Sequence, residues 1–267
     1  MWKIQSFWLS SLAITQVVKN TFQNDPDLAR KNAKKNTRQL YNFAQKYLWV
    51  EIEYRFWETD NEEIKQIYKD IELYIYEWIE TENFLKIKLW LWNHQPFWLE
   101  ALWAYDYFPT NWRIVLKDDL LKIPWIKSID PIVHYRNKWK ESTQIRHKEI
   151  IDTLLNNKSV LVYPQWTRPR EEKIRWFNRS LYSPAYDIIT DTSNKVSSLV
   201  WVVTSDTMWV LWNKKLEEHL MFMWNVKPWK IIITIDIIDA SLYENIIKFN
   251  DCITWVMWKN LLKNTKK

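Results

Sequence analysis

A histidine lies between an apolar, strand-like run and a run with helical spacing. The strand-like run is Phe84–Trp92, and Asn93-His94-Gln95-Pro96 follows it directly. Because the ordinary pKa of histidine lies near physiological pH, His94 can act as a general base toward a hydroxyl. Such a base needs a carboxylate that fixes its tautomer, and Glu100 and Asp106 both follow it. Considered alone, His94 is also compatible with a helix cap or a loop residue.

A second polar run begins at the end of another apolar stretch. Tyr163-Pro164-Gln165-Trp166-Thr167-Arg168-Pro169-Arg170 comes directly after Ser159–Val162. A tight turn at a strand end presents backbone N–H groups, and this run adds the Thr167 hydroxyl and the guanidinium groups of Arg168 and Arg170. Together these groups suit a phosphate or a developing oxyanion. A polar loop with surface arginines is the alternative interpretation.

A third stretch offers two further cationic side chains. Lys117-Asp118-Asp119-Leu120-Leu121-Lys122-Ile123-Pro124-Trp125 leads to Ile132-Val133-His134-Tyr135-Arg136. An arginine at the end of a strand can bind a phosphate through two parallel hydrogen bonds, so Arg136 is a candidate ligand and Lys117 a weaker one. A single arginine in this position is more often the partner in a surface ion pair.

Strand-like and helix-like runs alternate along most of the chain. Strict alternation of polar and apolar residues predicts a strand at Val50–Tyr54. Further strands are predicted at Phe84–Trp92, Arg113–Leu116, Ile132–Tyr135, Ser159–Tyr163, Ser198–Thr204 and Lys230–Ile238, and helices at Glu62–Ile79, Trp98–Tyr105, Lys140–Asn156, Tyr182–Thr190 and Asp251–Leu262. The alternation predicts an α/β fold with a mostly parallel central sheet flanked by helices.

The beginning of the chain is predicted to be a helical preface to the main domain. We expect residues 1–40 to form an N-terminal helical, membrane-associating segment, and residues 41–267 to form the main domain. The apolar run Phe7–Val18 is too short to cross a bilayer, and it lacks the basic start and the cleavage site of a signal peptide. An interfacial amphipathic helix and a helix packed on the domain are both compatible with this run.

The charge balance favours anionic partners. A formal net charge of +6 suits a phosphorylated substrate, an acidic membrane surface or nucleic acid. No basic stripe interleaved with stacking aromatic residues supports the last of these, so we expect no nucleic-acid partner. Cys252 is the only cysteine, which excludes an intrachain disulfide and a thiolate metal cluster. The histidines lack metal-ligand spacing, and no metal is implied.

The balance of glycine and tryptophan is abnormal. The chain has 0 glycines and 21 tryptophans, whereas ordinary usage predicts roughly 19 glycines. Tryptophan stands in turn-like contexts that suit φ > 0 or a close backbone approach, as in Pro124-Trp125, Gln165-Trp166, Pro228-Trp229 and Asn111-Trp112. Some lineages read UGA as glycine, and translating their UGA codons as tryptophan would produce a sequence with tryptophan in place of glycine. We infer that most tryptophans stand where the cell inserts glycine; a genuinely tryptophan-rich chain is the alternative.

Four blocks, in this order, resemble those of the 1-acylglycerol-3-phosphate acyltransferase family. They are Asn93-His94-Gln95-Pro96, Lys117 to Trp125, Val133-His134-Tyr135-Arg136 and Tyr163 to Arg168, with Trp125 and Trp166 read as glycine. The likeness covers roughly residues 40–262, and the first and last blocks are specific as a pair. The resemblance implies the α/β fold predicted above and makes residues 41–267 an acyltransferase domain.

The resemblance also implies a mechanism and its residues. His94 takes the proton from the acceptor's hydroxyl, which attacks the thioester of an acyl-CoA or acyl-carrier protein, and Glu100 orients His94. The phosphate-binding groups of the family map onto Arg136, the run Gln165-Trp166-Thr167-Arg168 and, as a weaker candidate, Lys117. No cofactor is implied beyond the acyl donor. The implied acceptor is lysophosphatidic acid or a related lysophospholipid, used in phospholipid biosynthesis.

The implied location is the cytoplasmic face of the cell membrane. A peripheral or monotopic protein would meet its lipid acceptor there, on an anionic membrane surface that suits the positive net charge. The acyl chain would lie in an apolar tunnel that the sequence does not trace.

Three departures from the family pattern leave alternatives open. The usual carboxylate position, five residues after the histidine, is Leu99, so Glu100 is displaced by one and Asp106 is the reserve. Gln165 replaces the usual glutamate, and Tyr135 replaces a common acidic residue before the arginine. A catalytically silent lipid- or membrane-surface-binding protein of the same fold is therefore the alternative. If the protein is an active acyltransferase, the acceptor could also be glycerol-3-phosphate or a lyso-aminolipid.

Overall fold

A seven-stranded sheet forms the centre of the fold. The computed structural model describes residues 25–29, 31–32, 35, 51–77, 79–93, 111–122, 126–127, 129–135, 139–165, 177–205 and 230–265. The strands are β1 (Glu51–Phe56), β2 (Leu89–Trp92), β3 (Trp112–Lys117), β4 (Ile132–His134), β5 (Ser159–Val162), β6 (Leu199–Ser205) and β7 (Lys230–Asp239). Their order is β1-β7-β6-β2-β5-β3-β4. Each pair is parallel except β6 with β7, so the predicted α/β fold with a mostly parallel sheet is confirmed.

Helices cover both faces of this sheet. They are α1 (Glu62–Glu77), α2 (Glu82–Lys86), α3 (Trp139–Leu155), α4 (Ser183–Thr190) and α5 (Ile246–Thr265). Successive side chains of a strand point to opposite faces. Accordingly, the two tryptophans of β2 belong to the apolar cluster with α1 and α2, whereas its two leucines belong to the cluster with α3, α4 and α5. The fold is therefore a three-layer sandwich with two apolar cores.

Side-chain caps explain where several helices begin. Asn61 Oδ1 accepts hydrogen bonds from the N–H groups two and three residues ahead at 2.9 and 3.2 Å, at the start of α1. Asn245 Oδ1 does the same at 3.0 and 3.1 Å at the start of α5. Thr81 caps α2 by accepting from the N–H of Phe84 at 3.2 Å. Each cap satisfies backbone donors that have no partner within the helix.

The central strands are buried along their whole length. All four residues of β2 and all four of β5 are buried, as expected for parallel strands covered on both faces. Such strands give continuous apolar runs rather than alternation. Their carboxyl ends are the places where the polar blocks of the sequence begin.

Most predicted elements match the observed ones within a few residues, and one is wrong in part. Phe84–Trp92 is predicted as a single strand, but its beginning belongs to α2, and only Leu89–Trp92 is extended. The Thr81 cap favours a helical turn there, and Phe84 packs on Tyr74 with ring centroids 4.2 Å apart. The predicted helix Trp98–Tyr105 lies outside the described residues. Most of the N-terminal segment does too, and the division at residue 40 stays a prediction.

The described residues give a partial view of the tryptophan question. Positive φ angles occur at Asp130, Asn157 and Lys195, and no described tryptophan has one. The sequence predicts a turn at Asn111-Trp112, but Trp112 begins β3 and is buried. The backbone conformation at position 112 therefore gives no reason to expect glycine there. Trp125, Trp166 and Trp229 lie outside the described residues, and their replacement by glycine stays a prediction.

No helix within the described ranges combines the length and the apolar character that a membrane crossing requires.

Candidate functional site

The predicted blocks follow the ends of four adjacent parallel strands. β2, β5, β3 and β4 are neighbours in that order, so their carboxyl ends lie along one edge of the sheet, the carboxyl edge. Along the chain, His94 comes just after β2, Gln165 just after β5, Lys117 ends β3 and Arg136 comes just after β4. Neighbouring strands are about 4.8 Å apart, so the ends of β2 and β4 are separated by roughly 14 Å. Open α/β sheets bind ligands at this edge.

The residue before the predicted base is held rigidly. Asn93 is fully buried, and its backbone N–H donates to the carbonyl of Val203 at 3.2 Å. Its side chain pairs with the backbone of Ser205 in both directions: Nδ2 donates to the carbonyl at 3.1 Å, and Oδ1 accepts from the N–H at 2.9 Å. This amide therefore joins the ends of β2 and β6. His94 and Glu100, together with Asp106, lie outside the described residues, and their roles stay predictions.

The run after β5 is closed at its base. The carbonyl of Pro164 accepts a hydrogen bond from the N–H of Asn178 at 2.8 Å, so the intervening segment leaves and returns at one place. Gln165 is 4 % exposed, which puts the start of this segment inside the protein. Trp166, Thr167 and Arg168 lie outside the described residues. Their contact with a phosphate stays a prediction.

Of the two cationic candidates, Lys117 ends β3, and Arg136 comes two residues after the end of β4 along the chain. Lys117 is half-buried at the end of β3, opposite His134 of β4. A 3₁₀ helix, Asp118–Lys122, follows it directly and carries the exposed Leu120. Arg136 lies outside the described residues, so its predicted phosphate contact is untested. Its neighbour Tyr135 is exposed, and the N–H of Tyr135 donates to the Ser142 hydroxyl at 2.6 Å.

A buried polar cluster behind β4 was missed by the sequence reasoning. His134 is 0 % exposed and Arg146 of α3 is 1 % exposed. Arg146 Nη1 lies 2.9 Å from His134 Nδ1, and Arg146 Nη2 donates to the carbonyl of Ser180 at 2.9 Å. Burial lowers the pKa of Arg146 to about 10. The spacing 142, 146, 150, 154 on α3 could have revealed the cluster, because it puts Arg146 in a stripe of inward-facing residues.

The described residues offer no group of three or more histidine, cysteine, aspartate or glutamate side chains that could hold a metal ion.

Comparison with known proteins yields a structural match. No protein-family model matches the chain, and no curated protein sequence matches it significantly. A solved structure does: the crystal structure of the 1-acyl-sn-glycerophosphate (LPA) acyltransferase PlsC from Thermotoga maritima, with a TM-score of 0.62 and 15% sequence identity. The alignment covers 100% of this chain and 99% of that one. The chain therefore has the α/β fold of the acyltransferase PlsC over its whole length.

Proposed function

We propose that this protein is an acyltransferase that moves a fatty acyl group from acyl-CoA or acyl-carrier protein to the free hydroxyl of lysophosphatidic acid or a related lysolipid. The observation that carries the proposal is the position of the four sequence blocks. Each falls at the carboxyl end of one of four adjacent parallel strands, in a fold shared with PlsC. This position supports the proposal, because open α/β sheets bind ligands at the carboxyl ends of their strands.

In the proposed reaction, His94 acts as the general base. Its imidazole takes the proton from the acceptor's hydroxyl while the oxygen attacks the thioester carbonyl and forms a tetrahedral intermediate. The carbon–sulfur bond then breaks, and the leaving thiolate takes the proton back from His94. Glu100 orients the imidazole and stabilises its charged form. Backbone N–H groups of the turn that begins at Gln165 are suited to the developing oxyanion or to the acceptor's phosphate.

The acceptor's phosphate is assigned to cationic groups at the same edge. Arg136 and Arg168 offer guanidinium groups that can bind it through two hydrogen bonds each, and Thr167 and Lys117 add a hydroxyl and an ammonium group. Gln165, in place of a glutamate, offers a hydrogen-bonding amide without negative charge. This change favours an anionic acceptor, because it removes a carboxylate from the phosphate's surroundings.

The lipid acceptor and the net charge of +6 support work at an anionic membrane surface. We propose a peripheral or monotopic protein on the cytoplasmic face of the cell membrane, with residues 1–40 as the associating segment. Flotation of the full chain with vesicles rich in anionic phospholipid tests this. Equal flotation with purely zwitterionic vesicles would contradict the role of charge.

The direct test supplies labelled acyl-CoA with a panel of acceptors: lysophosphatidic acid, glycerol-3-phosphate and lyso-aminolipids. We expect lysophosphatidic acid to be acylated and His94→Ala to lower the rate by about 10²-fold or more. His219→Ala, which changes a histidine outside the four blocks, is the matched control and should leave the rate unchanged. A folded His94→Ala protein that keeps more than a tenth of the rate would contradict the assignment. Lipid binding without transfer to any acceptor would favour the silent alternative.

A further inference from the structure

Arg146 is a buried cation without a carboxylate partner among the described residues. Its side chain is 1 % exposed, and no aspartate or glutamate of the described ranges lies within ion-pair distance. Its Nε has no hydrogen-bond partner there either. A buried, unpaired charge is costly to keep, so hydrogen bonds to Arg146 must offset the cost. The acceptors of those bonds indicate what the residue does.

The first acceptor is a side chain at the end of β4. Because a guanidinium group only donates, the 2.9 Å contact between Arg146 Nη1 and His134 Nδ1 requires an unprotonated Nδ1. His134 is therefore the neutral tautomer with its proton on Nε2. Ser142 Oγ lies 3.2 Å from the same Nδ1 and accepts from the N–H of Tyr135. Arg146 and Ser142 thus hold the two residues that directly precede Arg136.

The second acceptor lies beyond the segment that follows β5. The carbonyl of Ser180 accepts from Arg146 Nη2 at 2.9 Å, and His147 Nε2 lies 3.1 Å from the same oxygen. Two residues earlier, Asn178 is bonded to Pro164 at the base of the segment. Arg146 therefore joins the end of β4, 12 residues before it, to the return of the segment that follows β5, 34 residues after it.

We infer that Arg146 is a positioning residue for the acceptor's phosphate: it fixes the end of β4, which leads to Arg136, relative to Ser180, on the return of the segment that begins at Gln165. The inference rests on the proposed function, since it assigns both regions to one phosphate. Its charge adds to the effect, because a buried cation without a carboxylate raises the local electrostatic potential felt by an anion. The bonding partners of Arg146 are His134, His147 and Ser180, so the contacts themselves do not depend on the glycine question, although the Gln165–Arg168 run includes Trp166.

The chain offers a matched control at the opposite end of α3. Arg113, at the start of β3, is also mostly buried, and it donates to Glu149 at 3.0 Å and to Thr153 at 3.1 Å, both on α3. It is bonded to Asp130 as well. Arg113 therefore ties α3 to the sheet through two hydrogen bonds, away from the carboxyl edge.

The experiment compares Arg146→Met, Arg146→Lys and Arg113→Met in the full chain. We measure the KM of lysophosphatidic acid, the KM of the acyl donor, the melting temperature, and the rise in melting temperature that a soluble short-chain lysophosphatidate produces. Arg146→Met should raise the acceptor's KM by about 10- to 100-fold, from the loss of two charge-assisted hydrogen bonds, and leave the donor's KM within about twofold. Arg146→Lys, which keeps the charge, should raise the acceptor's KM less than Arg146→Met does. Arg113→Met should lower the melting temperature without changing either KM.

Several outcomes would overturn the inference. One is an equal rise of both KM values in Arg146→Met, and another is the same acceptor effect in Arg113→Met. If Arg146→Met does not fold, Arg146→Lys carries the test, and an unchanged acceptor KM in that variant counts against positioning. Failure of the proposed function has a different signature: wild-type protein that transfers no acyl group. The lysophosphatidate-induced rise in melting temperature then still tests Arg146, and its persistence in Arg146→Met would refute the inference.

Discussion

Asp236 is a buried carboxyl group, and we expect its replacement to change how the stability of the protein depends on pH. It lies on β7, is 4 % exposed, and its Oδ2 accepts a hydrogen bond from Asn260 Nδ2 at 2.7 Å. Burial raises the pKa of Asp236 to about 7, although the Asn260 bond and the charges of Lys263 and Lys259 act in the opposite direction. Asn260 Nδ2 also lies 3.2 Å from Thr204 Oγ1, so one amide connects β6 and β7 to α5.

The size of the effect follows from the pKa shift. A rise from 3.8 to about 7 is about 3 units, or about 4 kcal/mol at about 1.4 kcal/mol per unit. Between these two values the folded protein holds a proton that the unfolded chain has released. The free energy of unfolding therefore falls as pH rises from about 4 to 7 and then levels off. Asp236→Asn removes this dependence and should stabilise the protein at pH 8 by up to about 4 kcal/mol.

Urea unfolding from pH 5 to 8 checks this prediction. Asp239→Asn, at the end of the same strand, is a control of opposite sign. Burial alone would raise the pKa of Asp239, but hydrogen bonds from Ser198 and Ser241 outweigh it and lower the pKa. The ionised form is thus favoured in the folded state, and Asp239→Asn should destabilise the protein at neutral pH. Parallel pH profiles for wild type and Asp236→Asn would refute the reasoning on Asp236.

Two further predictions concern the proposed site. Glu100→Gln should lower the rate of acyl transfer by about a hundredfold and Asp106→Asn only slightly, because Glu100 is nearer to the usual carboxylate position. Steady-state rates of the two variants check this. The reverse order would show that Asp106 orients His94. Arg136→Ala should raise the KM of a phosphate-bearing acceptor by about 10- to 100-fold and leave that of the donor unchanged, since a guanidinium–phosphate pair acts mainly in binding. Equal changes in both KM values would make Arg136 structural.

Local patterns were enough to predict most elements of the fold. The alternation in β1 and the continuous apolar runs of β2 and β5 each reflect how many faces of the strand are covered. The order of the strands could not be read in this way. β7 lies between β1 and β6, and this pairing joins Glu51 to Lys230, which are remote in sequence. Such contacts depend on the whole chain rather than on any window of it.

The candidate site shows the same difference between local patterns and contacts that are remote in sequence. The blocks around His94 and Gln165 were recognised because each is a short run with its own chemistry. Arg146 was missed because its meaning depends on partners that are distant in the chain, His134 and Ser180. In a helix whose other charged residues are exposed or half-buried, one fully buried arginine is a weak sequence signal. Only the packing of α3 on β4 makes it a cluster.

Three buried tryptophans lie in or beside the strand that precedes His94, and glycine at these positions would change the protein next to the proposed site. Trp90 and Trp92 of β2 and Trp201 of β6 lie on the face covered by α1 and α2, and the rings of Trp90 and Trp201 stack at 3.9 Å. Trp201 Nε1 is buried without a hydrogen-bond partner in the described structure. Replacement of a buried aromatic residue by a small one costs about 3–5 kcal/mol and leaves a cavity. Glycine at all three positions would therefore open an apolar space beside the strand that precedes His94.

Such a space would suit the hydrocarbon chain of an acyl donor, and the tryptophans as printed would fill it. Glycine at 90, 92 and 201 therefore predicts that a long-chain acyl ligand raises the melting temperature of the native protein strongly. Mass spectrometry checks the residues themselves: each peptide should be about 129 Da lighter per site, because glycine has only hydrogen in place of the indole side chain. The decisive peptides span Leu89–Trp92, Tyr163–Arg168 and Leu199–Ser205. Masses that match tryptophan at positions 90, 92, 166 and 201 would refute the glycine inference and, with it, an acyl site on this face of the sheet.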